Sequence, residues 1–296
     1  MSLPATERSD DRFDAIDAWD VPTMLAALWE GQLAAVAALG PALPGLAHAV
    51  DAAAERLASG GRLAYAGAGT SGRIAVQDGA ELAPTFDWPE DRLILLMAGG
   101  PGALLRAVEN AEDRDDLARA EIAAHGIDAR DVLVGVAASG ATAFTIACVS
   151  EARARGALTV GLANSGGRLL EAAEFPVLIE TGAEAVAGST RMKAGTAQKA
   201  ALNLFSTAIM VRLGRVYRGR MVDMLARNEK LRRRAERMLV DIAGGTEEEV
   251  RAALAASGGK VKLAALILRG LDRAGAEAAL ARHHGRLRPA LAELGE

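Results

Sequence analysis

The chain has 296 residues, 51% of them hydrophobic but only 3% aromatic, so its core must be built from Ala, Val, Leu and Ile. That palette suits helices packed on a parallel sheet and disfavours a β-sandwich. With 34 Lys and Arg against 38 Asp and Glu, the formal net charge is -4, which argues against non-specific nucleic-acid binding, a process that depends on surplus cations.

The opening MSLPATERSDDRFD shows no basic-then-apolar signal pattern, and no apolar run reaches the roughly 18 residues needed to span a bilayer. The one cysteine, Cys148, lies in an apolar run and cannot form an internal disulfide, which fits a reducing cytoplasm. A soluble, cytoplasmic protein is expected, with neither nucleic acid nor membrane as partner. Val21 to Ala58 reads as two helices, broken at Gly40-Pro41 and covering the sheet or a partner.

Short apolar runs then alternate with helical patterns in the rhythm of βαβ units. Strands are predicted at Arg62–Ala66, Leu93–Met97, Val132–Ala137, Leu158–Ala163 and Pro176–Glu180. Two of them run into glycine-bearing loops followed by helices, LAYAGAGTSGR and VLVGVAASGAT. Ligands of open parallel sheets bind beyond the carboxyl ends of the strands, so both loops should face one pocket. A long helical pattern follows GSTRMK and runs to Arg212. Past it, the LRRR cluster of Leu231–Arg234 reads as a solvated helix face. A composition change at Gly244-Gly245 opens a tail of short amphipathic helices, in which Thr246 and Glu249 have capping-box spacing. The domains expected are an N-terminal helical arm (1–58), a sheet domain (59–218) and a helical C-terminal region (219–296).

The chemistry concentrates in three stretches of small hydroxylated residues. GSTRMKAGTAQKAALN, Gly188 to Asn203, places hydroxyls, lysines and an arginine at a helix start, where unpaired N–H groups and a partial positive charge favour a phosphate. Gly69, Thr70, Ser71 and Arg73 form a second cluster, with Arg73 a charge partner if its side chain folds inward; Ser139, Gly140 and Thr142 form the third. GAGTSG matches neither the Walker loop nor the Rossmann glycine spacing, which disfavours a nucleotide. Three hydroxyl clusters together, with Ser189, Thr190 and Lys193 in the last, favour a phosphosugar pocket. The four histidines show no metal-ligand spacing and no cysteine cluster exists, so no metal or cofactor is expected, and carboxylate acid–base chemistry remains.

GRLAYAGAGTSGRIAVQDGAELAPTF, MAGG, AVENAED, DVLVGVAASGAT, GSTRMKAGTAQKAALN and MVDMLARNEKL, in this order, resemble the N-acetylmuramic acid 6-phosphate etherases, enzymes of the sugar-isomerase (SIS) fold. The likeness spans nearly the whole chain. It implies a three-layer α/β domain, a parallel sheet flanked by helices, with a small helical C-terminal domain. It further implies cleavage of the D-lactyl ether of N-acetylmuramate 6-phosphate to N-acetylglucosamine 6-phosphate and D-lactate, in cell-wall sugar recycling. By motif position, Glu81 protonates the departing lactate oxygen and Glu112 handles the C2 proton. Glu184 joins the three hydroxyl clusters in the substrate-binding set. Ala141 and Ala143 stand where the family usually has arginine and proline, and the N-terminal arm keeps Thr6, Glu7 and Asp17 without the usual Arg-Asn-Pro. A straight helix from Gly72 would carry Glu81 about 13 Å from the phosphate loop, which leaves two alternatives. Either the helix ends near Gly79, or Glu81 serves the neighbouring subunit's pocket in a homodimer with shared sites. A non-catalytic sugar-phosphate sensor and a phosphosugar isomerase are the competing readings.

Overall fold

A computed structural model describes residues 3–224 and 229–295. The chain forms two compact units, residues 1–80 with 90–207, and residues 81–89 with 208–296. In the first, helices α1 (Val21–Ala37) and α2 (Leu43–Ala58) precede strand β1 (Leu63–Gly67) and helix α3 (Gly69–Ala80). The short helix α4 (Leu82–Phe86) belongs to the second unit. Back in the first follow β2 (Leu93–Met97), α5 (Asp115–Ala124), β3 (Val132–Ala137), α6 (Ala143–Ala154), β4 (Leu158–Ala163), α7 (Arg168–Ala172) and β5 (Phe175–Leu178). Helix α8 (Lys193–Arg212) carries the chain from the first unit into the second.

All five strands are parallel, in the order β2-β1-β3-β4-β5. β1, β3 and β4 are buried along their whole length, which is why they read as continuous apolar runs instead of alternating ones. Ala64, Ala66, Ile94, Leu96 and Leu133 pack with Ala118 and Ile122 of α5 and Phe144 and Val149 of α6 in one core layer. On the other face Gly79 of α3 lies against Tyr65, Leu93 and Leu95, and α2 covers β3 to β5. The result is the expected three-layer α/β sandwich. A Cβ on Gly67 would fall 2.7 Å from the Gly72 Cα, so the two glycines let the end of β1 touch the first turn of α3. That crossing fixes where the helix begins.

Contrary to expectation, one stretch is apolar enough to cross a membrane by length and composition: Val21–Ala58 contains an 18-residue window of mean hydropathy 1.6, a third of it buried. The chain is nevertheless broken between α1 and α2 by the turn Gly40–Ala42, and α2 buries Leu46, Ala49, Val50, Ala53 and Leu57.

The second unit adds an antiparallel pair, β6 (Val216–Tyr217) with β7 (Arg220–Met221), and helices α9 (Glu229–Ala243), α10 (Glu247–Ala256), α11 (Val261–Leu268), α12 (Arg273–Arg282) and α13 (Leu287–Ala292). Thr246 and Glu249 make the capping box that their spacing predicts. Arg215 donates to the carbonyls of Phe86 (2.7 Å) and Asp87 and sits over the Trp88 ring, which ties residues 81–89 into this unit. Leu225 to Asn228 of the MVDMLARNEKL segment lie outside the described residues.

Candidate active site

Beyond the carboxyl ends of β1 and β3 lies a cavity of about 300 Å³. One wall is the first turn of α3, through Gly69, Thr70 and Ser71. The N–H groups of a helix's first turn have no partner within the helix and suit an oxyanion. The second wall is the loop after β3, through Ser139, Ala141 and Thr142. Thr142 is the N-cap of α6, yet its hydroxyl makes no capping bond. Gly140 does not line the cavity; its φ of +67° and its closeness to Ser165 (3.0 Å from a Cβ placed there to the Ser165 oxygen) shape the turn that presents Ser139 and Thr142. Both predicted loops therefore meet in one pocket.

Three acidic groups also line it. Glu112 and Asp113 reach the cavity from the 3-10 turn Ala111–Asp113, which Asn110 enters with φ +57°. Glu7 arrives from the N-terminal arm. The sequence reading attached no role to Glu7 or Asp113. Glu7 is brought in by a tether spanning 159 residues, between Thr6 and Ser165, which no spacing rule reveals.

Besides Gly140, four expected binding residues stand outside the cavity lining. Arg73 does not fold inward: its Nε donates to the carbonyls of Ala103 (3.1 Å) and Leu104 (3.2 Å), pinning the turn Pro101–Leu104. Glu184 is buried and accepts from the backbone N–H groups of Lys193 and Ala194, both at 2.9 Å. The α8 terminus is thus already capped by a carboxylate and is no open phosphate seat. The Lys193 ammonium donates to the Ala183 carbonyl at 2.6 Å. Glu184 and Lys193 instead line a second cavity of about 390 Å³, together with Arg12, Phe13 and Trp19. Ser189 supports its turn by donating its N–H to the Val186 carbonyl, and only Thr190 of the GSTRMK segment lines the first cavity. Glu81 lies in the second unit, exposed at the turn between α3 and α4 and outside the residues that line the cavity. α3 runs on to Ala80, one residue past Gly79.

A buried network holds the α3 wall. Asp78 accepts from Tyr65 Oη of β1 (2.8 Å) and from Asn203 Nδ2 (2.6 Å) and Ser206 Oγ (3.2 Å) of α8. Burial, reinforced by the Asp78 carboxylate, pushes the Tyr65 phenol well above its ordinary pKa, so it remains a donor.

A parallel sheet with hydroxyl-bearing helix starts at its carboxyl edge is the architecture of a SIS domain. The family model of the glucokinase regulatory protein N-terminal SIS domain matches residues 45–153. A phosphoheptose isomerase from Francisella tularensis shares the fold with a TM-score of 0.50 at 20% identity, over 65% of this chain and 100% of that one. Closer in sequence, an N-acetylmuramic acid 6-phosphate etherase of Streptomyces avermitilis is 49% identical over 276 residues, 92% of this chain and 89% of that protein. Its counterpart from Cronobacter sakazakii is 47% identical over 98% of both chains. The chain belongs to the N-acetylmuramic acid 6-phosphate etherase family.

Proposed function

We propose that the protein is an N-acetylmuramic acid 6-phosphate etherase, a carbon–oxygen lyase that yields N-acetylglucosamine 6-phosphate and D-lactate. The observation that carries this reading is the placing of Glu112 in one cavity with the hydroxyls and open N–H groups that begin α3 and α6. The phosphoryl group is held at those helix starts, and this remote grip positions the sugar for chemistry at C2 and C3. In the open-chain aldehyde the C1 carbonyl acidifies the C2 proton, which Glu112 removes. The C3–O bond then breaks with its electron pair going to the lactate oxygen, which takes a proton from Glu81. Water adds to C3 of the unsaturated aldehyde after giving a proton to Glu81, and Glu112 returns a proton to C2. Neither glutamate is consumed. A sensor has no use for an acid–base carboxylate in its pocket, and an aldose–ketose isomerase has no need of a lactyl ether.

The substrate is a phosphorylated amino sugar and the setting is cytoplasmic peptidoglycan recycling. The working form is a homodimer in which Glu81 of the partner subunit completes the site. Two observations support sharing. α3 carries the chain about 16 Å from Gly69 before Glu81 follows. On α1, Val21, Leu25, Trp29, Leu33 and Val36 recur at three- or four-residue spacing with at least half of each side chain exposed, a stripe suited to a second copy. The decisive experiment is release of D-lactate from N-acetylmuramate 6-phosphate. Substituting Glu112→Ala should lower the rate by about 10²-fold or more. Mixing Glu81→Ala with Glu112→Ala chains should restore part of the activity, and no restoration would refute shared sites.

A further inference from the structure

Glu7 is the one acidic lining residue of the cavity that comes from the N-terminal arm, and neither the etherase chemistry above nor the family resemblance gives it a task. Its position is fixed from two sides. Thr6, fully buried in the 3-10 turn Ala5–Glu7, donates its N–H to Ser165 Oγ (3.4 Å), and that hydroxyl donates in turn to Thr6 Oγ1 (3.5 Å). Ser165 also abuts Gly140 of the loop after β3. On the other side the Glu7 carboxylate lies against the turn before α8, its Oε2 3.0 Å from where a Cβ on Gly188 would stand. The arm thus bridges two walls of the cavity and sets a carboxylate at its edge. That carboxylate makes no hydrogen bond or ion pair among the described residues.

A carboxylate beside this cavity repels the phosphoryl dianion, whose place is at the N–H groups of α3 and α6. What it attracts is a hydrogen-bond donor, and an amino sugar offers hydroxyls and an acetamido N–H away from its phosphate. Resting on the sugar-phosphate reading of the cavity, we propose that Glu7 is a substrate-binding residue: it accepts hydrogen bonds from the sugar's hydroxyl or amide donors and makes the site choose a sugar phosphate over phosphate itself.

The test is calorimetric binding of N-acetylglucosamine 6-phosphate and of inorganic phosphate to the full-length parent, Glu7→Ala and Glu7→Gln. Expected is a loss of about 10-fold or more in sugar-phosphate affinity for Glu7→Ala, with a smaller loss for Glu7→Gln, which keeps one acceptor oxygen. Phosphate affinity should stay level or tighten as a negative charge is removed. Sugar-phosphate binding within about 2-fold of the parent in both variants overturns the proposal. So does an equal weakening of both ligands, the mark of an arm that merely supports the walls. A parent that releases no D-lactate from N-acetylmuramate 6-phosphate overturns the etherase reading alone, since a selective loss of sugar-phosphate affinity would still support a Glu7 grip.

Discussion

Replacing Glu184 by glutamine separates a cap from a substrate ligand. The carboxylate is 1% exposed and meets two N–H groups at 2.9 Å on the first turn of the 20-residue α8. Each charge-assisted bond is worth about 1.5–3 kcal/mol, and a carboxylate at a helix N-terminus adds up to about 2 kcal/mol through the helix dipole. Desolvating the carboxylate costs part of that sum. Glutamine keeps the shape and one acceptor oxygen but turns an NH₂ toward the second N–H, where burial lets no water substitute. A net loss of about 2–4 kcal/mol follows, which for a chain of this size lowers Tm by about 3–6 °C. Scanning calorimetry reads the stability, and titration with N-acetylglucosamine 6-phosphate reads the site. Expected is a clear drop in Tm with sugar-phosphate affinity within about 3-fold of the parent. An unchanged Tm with binding lost would refute the cap and return Glu184 to the substrate.

Arg73→Leu tests a displaced cation: because the guanidinium serves the Pro101–Leu104 turn, inorganic phosphate should bind the variant within about 3-fold of the parent, and a loss approaching 100-fold would show the charge acting on the anion. Asp131 sets an acid limit. Burial pushes its carboxyl up, but the Arg62 guanidinium at 2.6 Å and backbone donors outweigh this and hold it below the ordinary value. Since folding lowers this pKa, the pair's contribution is complete above the unfolded value of about 4 and disappears as pH falls through the folded one. Asp131→Asn should therefore cost about 1–3 kcal/mol at pH 7 in urea unfolding, with the gap to the parent closing as pH falls below the ordinary carboxylate range; a gap independent of pH would refute the assignment.

Where the sequence was legible, buried strands made it so. β3 and β4 begin and end where their apolar runs do, because a strand covered on both faces has no polar alternation to blur its limits, and the partly exposed edge strand β2 matches its run LILLM because every residue in it is apolar. β5 starts one residue before Pro176, which an edge strand tolerates because the missing N–H need face no neighbour. The hydroxyl clusters on α3 and before α6 were equally legible, since a strand, a glycine turn and a helix start are local features. The fates of Arg73, Glu184 and Lys193 were not, for each depends on a carbonyl or N–H that only folding brings near. The Ala103 carbonyl is 30 residues from Arg73, and the arm that delivers Glu7 is fixed to a serine 159 residues away. The inclusion of residues 81–89 in the second unit, through Arg215, is illegible for the same reason.

Three helix starts of similar composition thus differ in one respect, whether an internal carboxylate already caps them. A carboxylate and a phosphate compete for the same N–H groups, so a start already holding a buried glutamate cannot seat a ligand without expelling it. α3 and α6 carry no such occupant: the Thr142 hydroxyl caps nothing, and Arg73 is turned away. α8 does, and its cap makes the preceding turn rigid, because Gly195 donates to the Thr190 carbonyl at 2.8 Å and Thr196 to that of Met192 at 2.9 Å. Thr190 consequently projects from a braced turn toward the cavity, with Glu7 beside the same turn at Gly188. The GSTRMK segment reaches the cavity as a fixed wall, and on the proposed reading the two uncapped helix starts are the anion grip.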